Sequence, residues 1–191
     1  PIYEDTIVVL CGDTPLIKEE TLKRLFEYHI ENKYHATVLT TRVGNPTGYG
    51  RIIRDKKGDL LKIVEQKDAN SEEKMISEIN SGIYCFNGKS LREALDLLNN
   101  NNSQGEYYLT DTAKIMRDKG LKVGAFAGST IEELMGVNSR VELSKAEEIM
   151  RRRINESHMV NGVTIIDTNS TYIESDVMIG NDTIIYPGVM L

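Results

Sequence analysis

The sequence predicts an α/β fold with a mixed sheet, on three observations. An apolar run over 6–10 ends abruptly in Cys11-Gly12-Asp13, apolar residues at helical spacing then alternate with β-branched runs, and a turn-rich Asp55-Lys56-Lys57-Gly58-Asp59 separates two short apolar runs. The first is a strand that delivers an acid to a cleft, because ligands of open α/β sheets bind outside the carboxyl ends of the strands. The second is strand, helix, strand. The third is a hairpin with Gly58 available for positive φ, and a hairpin makes at least one strand antiparallel.

Taken in order, Leu22, Leu25, Phe26 and His29 give a helix over 18–32, and 36–42 reads as a β-branched strand. The hairpin strands cover 51–54 and 60–65, and 78–86 is a further strand. Leu91, Ala94, Leu95 and Leu98 place a helix over 90–98, and a second covers 110–119 after the polar loop Asn99 to Gly105. A strand over 121–127 is followed by a long helix over 139–158 with Leu143, Ala146, Met150 and Ile154 as its packing stripe. The period then changes: Ile173, Ile179, Ile185 and Leu191 recur every six residues, with Val177 and Val189 two positions before the second and fourth. Hexapeptide periodicity predicts a parallel β-helix, of which these hexads make about one coil.

At 191 residues, with 40% hydrophobic and 27% charged residues, the chain can bury one sizeable core and carry an appendage. No apolar run approaches the roughly 18 to 20 residues of a membrane span, and the N-terminus lacks the pattern of a signal peptide, so a cytoplasmic protein without membrane partners is expected. Cys11 and Cys85 sit in apolar runs with no CxxC or His-rich neighbourhood, which predicts buried free thiols. The formal charge of −6 offers no basic footprint for nucleic acid, and Arg151-Arg152-Arg153, interleaved with Glu147, Glu148 and Glu156, reads as a solvated helix face. Phosphate chemistry stays open to an acidic protein when a divalent metal and backbone N–H groups offset the charge.

The segments that exceed what folding needs are Cys11-Gly12-Asp13, Pro46-Thr47-Gly48-Tyr49-Gly50-Arg51-Ile52, Val64-Glu65-Gln66-Lys67-Asp68, Glu78-Ile79-Asn80-Ser81-Gly82, Gln104-Gly105-Glu106-Tyr107-Tyr108-Leu109-Thr110-Asp111 and Gly136-Val137-Asn138-Ser139-Arg140. Together and in this order they resemble the uridyltransferase domain of the bifunctional bacterial N-acetylglucosamine-1-phosphate uridyltransferase and glucosamine-1-phosphate N-acetyltransferase family. The resemblance runs over essentially the whole chain. It implies a mixed-sheet, Rossmann-like nucleotidyltransferase domain over 1–138, a linker helix over 139–158, and the first coil of a left-handed parallel β-helix over 159–191.

The resemblance also implies roles. Asp13 and Asn138 match the pair that holds a catalytic Mg2+, and a carboxylate with an amide oxygen suits a hard cation. Gly12 lets substrate approach the backbone, and Gly50 matches the glycine whose main chain meets the sugar. Glu65 and Asn80 match the side chains that hydrogen-bond N-acetylglucosamine, while Tyr108 and Thr110 match positions near its phosphate. Structural readings stand beside these. Asp13 could cap the following helix, Asn138 and Thr110 could be helix caps, Gly50 a turn glycine, and Glu65 and Asn80 merely solvated.

The implied reaction is uridylyl transfer from UTP to N-acetylglucosamine-1-phosphate, giving UDP-N-acetylglucosamine, a cell-wall precursor, and pyrophosphate. The family's opening strand and Gly-x-Gly-Thr-Arg loop have no counterpart here, since Pro1 stands just ahead of the aspartate-bearing strand. The acetyl-coenzyme A site would fall beyond Leu191. The expectation is therefore a domain lacking its first strand and Gly-rich phosphate loop, with little uridyltransferase and no acetyltransferase activity by itself. The resemblance implies a homotrimer through the β-helix in the full-length family member. A noncatalytic nucleotidyltransferase-like regulatory or interaction subunit, and a transferase for another hexose-1-phosphate, remain as alternatives; Glu65 with Asn80 favours N-acetylglucosamine.

Overall fold

The computed structural model describes residues 6–191, in two compact units that divide between Leu134 and Met135; Pro1 lies outside the described residues. In the first unit β1 (Thr6–Val9), α1 (Glu19–Glu31), β2 (Ala36–Arg42), β3 (Arg51–Arg54), β4 (Leu60–Val64), α2 (Ser71–Lys74), β5 (Glu78–Asn87), α3 (Gly88–Leu95), α4 (Asp111–Asp118) and β6 (Val123–Ala127) follow one another. The short α2 has its own signal in the sequence. Asn70 and Glu73 form a reciprocal capping box, each side chain accepting from the other's backbone N–H.

The sheet is mixed. Its path runs β4-β3-β5-β2-β6, with β1 also paired to β5, and among the described residues of this sheet only β2 with β6 pair in parallel. The β3–β4 hairpin turns at Gly58, whose φ is 87°, while the Asp55 carboxylate accepts from the backbone N–H of Lys57 and Asp59 at 2.9 and 3.1 Å. Alternation along the strands sends side chains to opposite faces. Ala36, Val38, Tyr84 and Phe86 pack with Leu91, Ala94, Ala113 and Met116 of α3 and α4 on one face. Leu39, Ile83 and Cys85 pack with Leu25 of α1 and with Leu134 on the other. The result is a sheet covered by helices on both sides, in which each fully buried aliphatic side chain contributes about 1.5–3 kcal/mol.

In the second unit α5 (Arg140–Val160) leads into β7 (Thr164–Ile165) and β8 (Ile184–Ile185). The hexad segment comes back alongside itself in parallel, at Thr164↔Ile184 and Ile165↔Ile185 and again at Tyr172↔Met190. Val163, Ile165, Ile173 and Ile185 are buried together, and Ile154, Val177, Ile179 and Val189 pack against them. Two expectations need correction. Leu143 and Met150, counted in the packing stripe of α5, are exposed, so the stripe is carried by Ala146 and Ile154. Arg151 is not simply solvated: its guanidinium lies 4.5 Å from the ring centre of Tyr172 and 3.5 Å from Glu147, a stacked cation within the unit.

Candidate active site

Along one edge of β5 two strands lie end to end, and the segments that carry Asp13, Gly50 and Asn80 meet where the first gives way to the second. β1 pairs with β5 from Thr6↔Asn87 to Val9↔Tyr84, and β3 joins at Arg51↔Ile79. Between them the chain leaving β1 brings Cys11, whose thiol donates to the carbonyl of Gly82 at 3.5 Å. The chain entering β3 brings Gly50, whose carbonyl accepts from the backbone N–H of Asn80 at 2.9 Å. Gly82 has φ 78°, and a Cβ there would lie 2.6 Å from the Cys11 sulfur. Glycine is therefore required both by the backbone and by the close approach. Gly12 and Asp13 follow Cys11 directly and are exposed. Burial and the negative charge of Asp13 both raise the Cys11 thiol above its ordinary pKa.

Asp13 is not a helix cap. The N-cap of α1 is Lys18, without a side-chain capping bond, while the turn after Cys11 is closed by the Thr14 hydroxyl donating to the Cys11 carbonyl at 3.0 Å. Thr110 precedes α4 in helical conformation and makes no capping bond either. Asn138 lies in the second unit. The cap of α5 is made by Ser139, whose hydroxyl accepts from Glu142 N–H at 3.2 Å, and the Asn138 backbone N–H donates to the Glu142 carboxylate at 2.8 Å. The exposed Asn138 side chain takes no part in that cap.

Gly50, Glu65 and Asn80 come together from separate strand ends. A Cβ on Gly50 would lie 3.3 Å from Oε1 and 3.4 Å from Oε2 of Glu65, and 3.4 Å from the Cβ of Asn80. Burial raises the Glu65 pKa, and the Thr110 hydroxyl opposes this as a donor. That contact falls short of ordinary hydrogen-bond geometry, for the buried Thr110 Oγ1 has no partner that meets it. Glu65, Tyr108 and Thr110 line one open cavity of about 630 Å³ with Asp68, Asn102 and Lys114. Asp68 accepts from the Ser103 backbone N–H at 2.9 Å, and Gln104 donates to the Tyr108 hydroxyl at 2.7 Å, which ties the 99–105 loop to the cavity wall.

Two further polar residues serve this site: Arg51, whose segment stands out in the sequence without a role for it, and Tyr84, which does not stand out. Arg51 is 1% exposed; it donates to the Tyr49 carbonyl and, at 2.7 Å, to Oε1 of Gln66, so it clamps the entry to β3 against the end of β4. Tyr84, 2% exposed, donates to Oδ1 of Asn80 at 3.0 Å. The sequence places Tyr84 in the strand over 78–86, but its reach to Asn80 crosses the irregularity between Val38↔Tyr84 and Thr40↔Asn80, which periodicity does not show.

Residues 2–131 match the model of the nucleotidyl transferase family. The chain belongs to that family. Among curated relatives, the protein named bifunctional protein GlmU of Clostridium botulinum (strain Loch Maree / Type A3) is 59% identical over 186 residues, 97% of this chain and 40% of that protein. The GlmU protein of Alkaliphilus oremlandii (strain OhILAs) is 57% identical over 190 residues, 100% of this chain and 42% of its own length. The chain thus spans about two-fifths of these relatives. Among solved structures, UDP-glucose pyrophosphorylase complexed with UDP-glucose superposes with a TM-score of 0.55 at 15% identity, covering 76% of this chain and 57% of that one. The apo form of a UDP-glucose pyrophosphorylase gives 0.56 at 18% identity, with 80% and 56% covered. These two establish the mixed α/β nucleotidyltransferase fold.

Among the described residues no cluster of three or more His, Cys, Asp or Glu could enclose a metal ion. A lone exposed carboxylate such as Asp13 suits a hard cation that keeps several of its waters. No described helix is long and apolar enough to cross a membrane.

Proposed function

We propose that this chain carries the sugar-phosphate side of a uridyltransferase that converts UTP and N-acetylglucosamine-1-phosphate to UDP-N-acetylglucosamine and pyrophosphate, a cytoplasmic step of cell-wall precursor synthesis. The observation that carries the reading is the convergence of Gly50, Glu65 and Asn80 within van der Waals reach, in a chain 59% identical to a GlmU protein. An acceptor carboxylate and a carboxamide over a bare glycine backbone are what a sugar ring with neighbouring hydroxyl and amide groups requires.

In this reading a phosphate oxygen of the sugar phosphate attacks the α-phosphorus of UTP, a new P–O bond forms, and the bond to the β-phosphate breaks to release pyrophosphate. No protein nucleophile is needed, so the residues act by placing the reactants in line. Glu65 and Asn80 hold the sugar, the main chain at Gly50 lies against it, and Tyr108 and Thr110 offer hydroxyls to its phosphate across the cavity. Gly12 leaves the backbone open beside Asp13. Asp13 would hold Mg2+, which would supply charge neutralisation for the two anions. The hexad segment would be the first coil of a left-handed β-helix following the linker helix, and through it the protein would form a homotrimer. The parallel ladder and the buried Ile165, Ile173 and Ile185 support that assignment.

Calorimetric titration with N-acetylglucosamine-1-phosphate and with glucose-1-phosphate tests the reading. Preferential binding of the former, reduced in Glu65→Ala, is expected. Absence of binding, or equal binding of both sugars, would overturn it.

A further inference from the structure

We propose that Tyr84 is a positioning residue that fixes the orientation of the Asn80 carboxamide, so that Asn80 meets its ligand as a hydrogen-bond donor beside the acceptor Glu65; the proposal rests on the sugar-phosphate reading above. A carboxamide has nearly the same shape after half a rotation about its last bond, and its partners decide which edge is left for a ligand. At Asn80 the partners decide it. The backbone N–H of Gly82 can only donate, and it lies 2.9 Å from the side chain, so the atom it meets is the oxygen. The Tyr84 hydroxyl reaches the same oxygen at 3.0 Å. Burial raises the pKa of this phenol far above its usual range, which keeps it protonated and hence a donor. Two donors converge on Oδ1, both of its lone pairs are used, and the two N–H bonds of Nδ2 are left for a ligand.

The stem of Asn80 stands next to an acceptor. The position of a Cβ on Gly50 touches both the Cβ of Asn80 and the carboxylate of Glu65, so a donor and an acceptor flank one bare backbone segment. Such a pair selects a ligand that offers an accepting oxygen next to a donating hydroxyl or amide, and it rejects one that presents the reverse. Tyr84 never touches the ligand in this scheme. It acts through Asn80, from inside the core formed with Phe86, whose ring is stacked 5.3 Å away.

The test is calorimetric titration of N-acetylglucosamine-1-phosphate into four versions of the chain: the natural sequence, Tyr84→Phe, Asn80→Asp, and the two changes together. Asn80→Asp keeps the shape and the oxygen held by Gly82 and Tyr84 but turns the free donor edge into an acceptor beside Glu65. It is expected to weaken binding more than about tenfold, the scale for leaving polar groups mismatched in a site. Tyr84→Phe removes one of two bonds that set the orientation and is expected to weaken binding about three- to tenfold. The double variant is expected to bind no more weakly than Asn80→Asp, because the hydroxyl has no further role once the donor is gone. A side-chain role confined to packing would instead make the two losses multiply. In the ligand-free, 15N-labelled chain, Tyr84→Phe should also shift the Asn80 side-chain amide resonances. If the natural chain binds and Asn80→Asp binds equally well, or the losses multiply, the positioning proposal falls and the sugar reading stands. If the natural chain does not bind, the sugar reading itself falls and takes the proposal with it.

Discussion

Glu65 presses on Gly50 so closely that a methyl group on the glycine would stand 3.3 Å from its Oε1. The backbone at Gly50 is not in the left-handed region, so alanine is allowed there conformationally and the crowding falls on the carboxylate, which is the far end of a flexible side chain. Gly50→Ala should therefore leave the melting temperature close to that of the natural chain. Affinity for N-acetylglucosamine-1-phosphate should fall about fivefold or more, a change of roughly 1 kcal/mol. Thermal denaturation and titration on the same samples check this, and an unchanged affinity would show that Glu65 need not sit where it does.

The carboxylate of Glu65 is half-buried, and burial is the main reason its pKa is raised. An acid whose folded pKa lies above its unfolded value contributes stability below the unfolded pKa and loses it as pH rises through the folded one. Ionised Glu65 is thus a cost at neutral pH that function tolerates. Glu65→Gln should be at least as stable as the natural chain at pH 7, with the difference shrinking below about pH 4.5, while sugar-phosphate binding drops. Urea denaturation across this range measures it, and a variant markedly less stable at pH 7 would contradict the account.

The elements around this site were readable because each has a local cause. The strand before Asp13, the hairpin around Gly58 and the three-turn periodicity of α1 all follow from spacing and turn chemistry. What spacing could not supply was the meeting of strand ends. That β1 and β3 share one edge of β5 depends on the register Val9↔Tyr84 and Arg51↔Ile79, which is set by long-range packing. The same limit hid the role of Arg51, although its segment stood out, and hid Tyr84 altogether. Only tertiary pairing turns one into a clamp on Gln66 and the other into a donor to Asn80. The exposed Leu143 marks the opposite error, in which periodicity implied a packing partner that its unit does not provide.

Glu78, 5% exposed, sits at the start of β5 against Arg54 of β3. Burial acts to raise its pKa, but two hydrogen bonds from Arg54, at 2.9 and 2.6 Å, and one from Thr40 at 2.8 Å outweigh it, and the net shift is downward. The pair accordingly stabilises the fold above the unfolded carboxylate pKa, and the contribution is lost as pH falls through the lower folded value. Glu78→Gln weakens the charge-assisted bonds but leaves Arg54, 28% exposed, still donating to the Gly58 and Ala125 carbonyls, so it should cost about 2 kcal/mol at pH 7. The gap to the natural chain should close in acid. Denaturant titrations at pH 7 and pH 3 would settle it, and an equal gap at both would remove the ion pair from the explanation.

His29 loses its contribution in the same direction, as pH falls, but in a different pH window. It is buried on α1 at 2% exposure, with Nδ1 2.9 Å from the Thr37 hydroxyl of β2, and burial, aided by the charge of His35, lowers its pKa to about 4. In the unfolded chain the same imidazole titrates near 6.5. A base whose folded pKa is depressed contributes stability above its unfolded pKa and loses it as pH falls toward the folded one, because the unfolded state takes up the proton first. Between pH 6.5 and pH 4 this residue alone should remove about 2–3 kcal/mol from the first unit. His29→Gln keeps a side chain able to hydrogen-bond Thr37 but cannot be protonated, so its stability should fall less steeply over that interval even if it starts lower at pH 7. Unfolding free energies from urea titrations at half-unit steps of pH distinguish the two slopes. Parallel curves for the variant and the natural chain would mean that His29 is not the group through which α1 and β2 sense acid.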